Sequence, residues 1–122
     1  MNWKQVCERS KANNEKLDCA VKAVSIVTGV HYDDVHTMMQ NRGRRHGGRT
    51  KHHITADVLK CLGAVMETVE VKSKTVKRLP RELKIGTYLV WTHGHILAVK
   101  DGTVMDWTAG RRHRIKKVMR IT

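Results

Sequence analysis

The chain predicts an α+β fold, with N-terminal helices packed on a C-terminal antiparallel sheet. Three observations carry that expectation. Up to Leu62, apolar residues recur at helical spacing, and Gly29 and Gly63 stand where such helices would stop. From Val65 onward, β-branched and apolar residues come in short runs of strand length. Between two of these runs lies Asp101-Gly102, a strong two-residue hairpin signal. Helices followed by antiparallel strands is the α+β order. At 122 residues, the length fits one domain spanning 1–122.

In order, Asn2 to Lys11 is a short helix with Trp3, Val6 and Cys7 on one side. Ala12 to Leu17 is a polar lead-in, and Asp18 is placed as an N-cap. Cys19, Ala20, Ala23, Val24, Ile26 and Val27 then cover a broad helical face, so that helix should be largely buried before Gly29 ends it. Tyr32 to Gln40 is the next helix, with Asp33 and Asp34 in its first turn. A basic, glycine-bearing loop follows from Asn41 to His53. Thr55 is expected to cap a helix over Ala56 to Leu62. Val65 to Val71 alternates as a strand, and Thr75 to Leu79 is a turn or short helix ended near Pro80. Strands are expected over Thr87 to Trp91, His95 to Lys100 and Thr103 to Trp107. A basic turn over Gly110 to Arg114 leads to a last strand, Ile115 to Ile121.

Lys and Arg number 24 against 11 Asp and Glu, a formal charge of +13. An excess of that size favours polyanionic partners: nucleic acid, anionic lipid or acidic protein. The three cysteines, Cys7, Cys19 and Cys61, are odd in number and include no C-x-x-C pair. Neither a disulfide framework nor a zinc knuckle is expected, free thiols fit a reducing cytoplasm, and Cys7 and Cys61 are expected to be packing residues. The start, Met1 to Val6, has no apolar leader character and no stretch is long enough to span a bilayer. The expectation is a soluble cytoplasmic protein with no cofactor and no membrane partner.

One order of residues carries chemistry: a cysteine at a helix start, later a histidine and an aspartate on adjoining strands. By itself Cys19 would most often be a small packed residue. In the first turn of a helix, however, backbone N–H groups and the helix dipole favour the thiolate. If Asp101-Gly102 is a two-residue turn, Lys100 pairs with Thr103, Val99 with Val104 and Leu97 with Asp106. His95 and Asp106 then share a face as diagonal neighbours, close enough for a carboxylate to hold one imidazole nitrogen and leave the other for the thiol. His93 is a rival base on the same face. His95 is preferred because it begins the apolar run Ile96-Leu97-Ala98-Val99.

Asp18-Cys19-Ala20-Val21, Gly94-His95-Ile96-Leu97-Ala98-Val99, Asp101-Gly102 and Val104-Met105-Asp106 together resemble the small papain-like cysteine peptidases, especially the short forms found in bacteriophage genomes. The likeness runs from about Asn13 to Trp107. It implies a papain-like fold in which Cys19 attacks a carbonyl, His95 moves the proton and Asp106 orients His95. In that family a Gln about six residues before the cysteine helps hold the oxyanion. Here Asn13 stands at that position, and the backbone N–H of Cys19 would be the second donor. Host cytoplasm is the compartment that a phage-encoded form implies.

Two other signals remain. Gly43 to Thr50 nearly fits a phosphate-cradling loop, but a helix precedes it where a strand is needed. The same segment carries Arg42, Arg44, Arg45, Arg49 and Lys51, and the C-terminal part carries Arg111, Arg112 and Arg114. These are candidates for contacting nucleic acid or an acidic partner, for a lid that selects acidic substrates, or for a solvated loop. A metal site from His93, His95 and a cysteine lacks standard ligand spacing, so none is expected. Two functions follow. One is a papain-like thiol hydrolase of peptide or isopeptide bonds. The other is a non-enzymatic basic binder on the same fold.

Overall fold

Residues 1–122 are all described by the computed structural model. Helix α1 spans Trp3–Ala12 and is closed by a capping box: the Asn2 side chain accepts from the Gln5 N–H, and the Gln5 side chain accepts from the Asn2 N–H. Helix α2 spans Cys19–Thr28 and ends on Gly29, whose φ of 77° is the left-handed cap that a side chain would strain. Helix α3 covers Tyr32–Asn41 and α4 covers His52–Cys61. Then follow β1 (Met66–Val69), a single 3₁₀ turn (Val76–Arg78), and the short α5 (Leu79–Glu82). The remaining strands are β2 (Thr87–Thr92), β3 (His95–Lys100), β4 (Thr103–Met105) and β5 (Ile115–Ile121).

The five strands form one antiparallel sheet in the order β1-β5-β2-β3-β4. Strand alternation sends the two faces to different cores. Leu89, Ile96, Ala98 and Ile121 meet Val21, Val24, Met39, Val58 and their neighbours from the helices. Tyr88, Val90, Leu97, Val99 and Val118 meet Val76, Leu79 and Leu83. Helix α2 packs on β3, which brings its N-terminal residue, Cys19, to the β3 strand end where His95 lies. Asp101 (φ 46°) and Gly102 (φ 78°) are both left-handed, as a type I′ turn requires. Lys100 pairs with Thr103 and Val99 with Val104, the register expected from the sequence.

Four expectations are corrected. Helix α4 starts at His52 on Lys51, not at a Thr55 cap; Thr55 is buried inside it, beside Ile54, Val58 and Leu59. The apolar stripe begins among histidines that hide it. Pro80 sits in the first turn of α5 rather than ending a helix, because its missing N–H is not needed there. Strand β4 stops at Met105, opposite Ala98, so the Leu97–Asp106 rung does not form. Cys61 is exposed rather than packed.

The polar lead-in hides a buried clamp. The Arg44 guanidinium donates to both Glu15 carboxylate oxygens at 2.7 and 3.0 Å, and both side chains are fully buried. The Gly47 N–H adds a bond of 2.8 Å, and His36 lies against the same carboxylate. This fixes the loop after α3 to the segment before Cys19, where Asn14 and Leu17 both hold a φ of 52°. Burial alone would raise the Glu15 carboxyl, but the bonds from Arg44, Gly47, His36 and Lys16 hold it down at about 2, against 4.5 ordinarily. A depressed carboxylate stabilises above its unfolded value and loses that contribution as pH falls toward the folded one. Acidification from 4.5 to about 2 should therefore remove about 3 kcal/mol. Urea unfolding as a function of pH checks this. Glu15→Gln should start less stable and lose less on acidification, whereas parallel profiles would contradict the assignment.

Candidate active site

Helix α2 begins without a side-chain cap. Asp18, expected to cap it, instead accepts a 2.7 Å bond from the Tyr32 hydroxyl and lies 3.5 Å from the Lys22 ammonium. That diversion has two consequences. The Asp18 charge is turned away and compensated, and the backbone N–H groups of the first turn at Cys19 stay free of a carboxylate. Tyr32 is wholly buried; burial and the bond to Asp18 push its hydroxyl far above the ordinary range, so it acts as a fixed donor.

Beyond the last β3–β4 rung, at the start of β3, the Ile96 backbone N–H and the His95 ring both act on the Cys19 sulfur and favour its thiolate. His95 Nε2 lies 2.8 Å from Asp106 Oδ2. The nitrogen left for the sulfur is therefore Nδ1. The same Asp106 oxygen accepts from the Thr108 N–H at 3.1 Å and the Thr108 hydroxyl at 2.6 Å. Asp106 is only 6% exposed and Thr108 is fully buried, so the carboxylate is held rigidly behind the ring. Trp107, half exposed, tilts over His95 at 5.4 Å between ring centroids. It is braced in turn by His113 at 5.2 Å and by the Arg111 guanidinium.

The electrostatics follow from these contacts. Burial pushes the Cys19 thiol up, but the bonds to His95 and the Ile96 N–H, with the charge of His95, outweigh it and the thiol lies below its usual range. Burial pulls His95 down, but Asp106 and Cys19 raise it to about 9. Both shifts run in the same direction, toward the thiolate–imidazolium pair and away from the neutral one. Because its folded value exceeds 6.5, His95 adds stability that is complete below 6.5 and is lost as pH rises through about 9. Asp106→Asn should move the NMR titration midpoint of His95 down by at least about one unit. An unchanged midpoint would show that the carboxylate does not set the charge on the ring.

Cys19, His95 and Asp106 border a cleft of about 570 Å³. All three tryptophans of the chain line it, with Lys22, Arg49, His52, His93 and His113. Its two acids, Asp18 and Asp106, are already bonded, so the charge left to a ligand is positive. Two buried side-chain atoms on this lining, Thr92 Oγ1 and His113 Nδ1, have no hydrogen-bond partner.

The sequence-derived candidates divide. Cys19, His95 and Asp106 are brought together, while the rival His93 is exposed and its Nδ1 meets the Lys116 ammonium. Asn13 is corrected as oxyanion donor. It caps the end of α1, donates to the Arg9 carbonyl and to Asp33, and does not line the cleft. No Asn or Gln lines the cleft at all. Arg44 is corrected as a surface residue, being spent on Glu15. Arg42 donates to the Met38 carbonyl. Arg45, Lys51, Arg111, Arg112 and Arg114 are exposed, and Arg49 reaches the cleft edge through a 2.7 Å bond to the Gly94 carbonyl.

Sequence reading passed over Thr108, although Asp-x-Thr is a side-chain turn signature. It also passed over Glu15, which carries no local mark. Glu15, His36 and His46 bring ligand atoms within 4.8 Å of one another, but Arg44 already occupies both carboxylate oxygens, so the cluster is a clamp rather than a cation site. No helix is long and apolar enough to cross a membrane. No family model, curated protein or solved structure matches the chain.

Proposed function

We propose that the protein is a papain-like thiol hydrolase acting on peptide or isopeptide bonds. The observation that carries the reading is the continuous line from the Cys19 sulfur through the His95 ring to the buried Asp106 carboxylate. The Cys19 thiolate attacks the carbonyl carbon, and the backbone N–H of Cys19 faces the charge developing on oxygen. Protonated His95 gives its proton to the departing amine, leaving a thioester on Cys19. Neutral His95 then takes a proton from water, the hydroxide attacks the thioester, and the thiolate departs with an acid product. The positive, tryptophan-lined cleft favours substrates with acidic side chains near the bond. An activity-based peptide probe with an electrophilic carbonyl tests the reading. It should form a thioester adduct on Cys19 in the native protein, with loss of the probe's leaving group, and none on the His95→Ala variant.

A second reading, a non-enzymatic binder on the same fold, is favoured by one observation: no amide side chain reaches the cleft. Loss of one oxyanion donor costs about 10²–10³ in rate. Under that reading Cys19 still reacts with small alkylating agents, yet no acyl adduct forms with amide or ester substrates.

A further inference from the structure

Away from the thiol cleft, a groove of about 380 Å³ is lined by Thr75, Lys77, Arg78, Arg81 and Arg112, with no apolar side chain. It lies in the layer that Val76 and Leu79 pack against the sheet face opposite α2. Two segments distant in sequence build it, and backbone bonds hold them together. The Val76 N–H donates to the His113 carbonyl at 3.0 Å, the Lys77 N–H to the Arg111 carbonyl at 2.9 Å, and the Ile115 N–H to the Lys74 carbonyl at 3.0 Å. Thr75 bridges Arg114.

The charges gathered this way are not compensated from within. None of Lys77, Arg78, Arg81 and Arg112 forms an ion pair. No acid lines the groove, and Glu82, which follows Arg81 in the chain, spends both oxygens on the Lys72 N–H and on the Ser73 N–H and hydroxyl at 2.7–2.8 Å. Its carboxyl lies below the usual range for that reason, so it stays a bonded anion tied to the neighbouring loop. Like charges held together in a groove raise the local concentration of anions.

We propose that this groove binds the phosphodiester backbone of nucleic acid. Three of its four cations are arginines, whose planar forks match phosphate oxygens in pairs. The lining has no apolar side chain, whereas the buried core of a protein–protein interface is typically more apolar than its rim. It has no aromatic ring either, so bases are not stacked and contact is to the backbone, independent of sequence. The proposal does not rest on the hydrolase reading, since none of these residues borders the cleft.

The test uses the full chain and a short, labelled, random-sequence DNA duplex. Each phosphate contact contributes about 0.9 to the slope of log affinity against log salt, so Arg78→Gln/Arg81→Gln/Arg112→Gln should flatten it by about 2.7, shrinking the affinity drop between about 50 and 200 mM KCl roughly 40-fold. Circular dichroism and Cys19 labelling should stay as in the native protein. If the triple variant does not fold, Arg81→Gln alone should flatten the slope by about 0.9. A control variant, Arg42→Gln/Arg45→Gln/Lys51→Gln, should flatten it by less than half as much. Equal flattening in both variants would overturn the site. Displacement of the duplex by polyglutamate at equal charge concentration would assign the groove to an acidic protein and overturn the ligand class.

Discussion

Replacing Cys19 with alanine is expected to abolish labelling by a thiol-reactive peptide probe at about pH 6, while Cys7→Ala and Cys61→Ala leave it intact. An ordinary thiol is only roughly 0.3% thiolate at about pH 6, so the mild acid separates an activated sulfur from bystanders. Burial pushes the Cys7 thiol up, and Cys61 sits in the last turn of α4, outside the cleft. Only Cys19 has a histidine ring, a backbone donor and an uncapped helix start acting on its sulfur. Mass spectrometry of tryptic peptides after a short exposure reads the outcome. Comparable labelling of all three cysteines would remove the case for activation.

The second large effect concerns stability. Arg44→Ala should destabilise the fold by about 3–5 kcal/mol, because it leaves the Glu15 carboxylate buried and without its main counter-charge. Arg44→Lys should recover only part of this, since one ammonium cannot satisfy both oxygens. The double change Glu15→Ala/Arg44→Ala should cost less than the sum of the single ones, because neither partner is then left alone. Denaturant unfolding measures all three. A cost below about 1 kcal/mol for Arg44→Ala would place the pair among exposed salt bridges, contrary to its burial.

Much of the architecture was legible because it rests on local rules. The burial of α2 follows from the spacing of Ala20, Ala23, Val24 and Ile26, and the β3–β4 register from Asp101-Gly102. Parity along β3 then placed His95 toward Asp106 even though the expected Leu97–Asp106 rung does not form. What stayed hidden is non-local. Glu15 meets Arg44 across 29 residues of chain, and Asp18 is drawn from its cap by Tyr32, fourteen residues on. The start of α4 was masked because His52 and His53 precede the stripe of Ile54 and Val58. Asn13 failed as an oxyanion donor for a similar reason: its amide is claimed by Asp33 from another helix. The cationic groove is assembled by backbone bonds between residues 74–77 and 111–115, a pairing that no pattern within either segment announces.

The central claim is that His95 holds Cys19 as a thiolate. Ultraviolet thiolate absorbance, followed with pH as the difference from Cys19→Ala, measures it directly. The account predicts that the native protein forms the Cys19 thiolate below the usual thiol range and that His95→Ala returns the transition to that range or above. Transitions at the same pH in both proteins would contradict it.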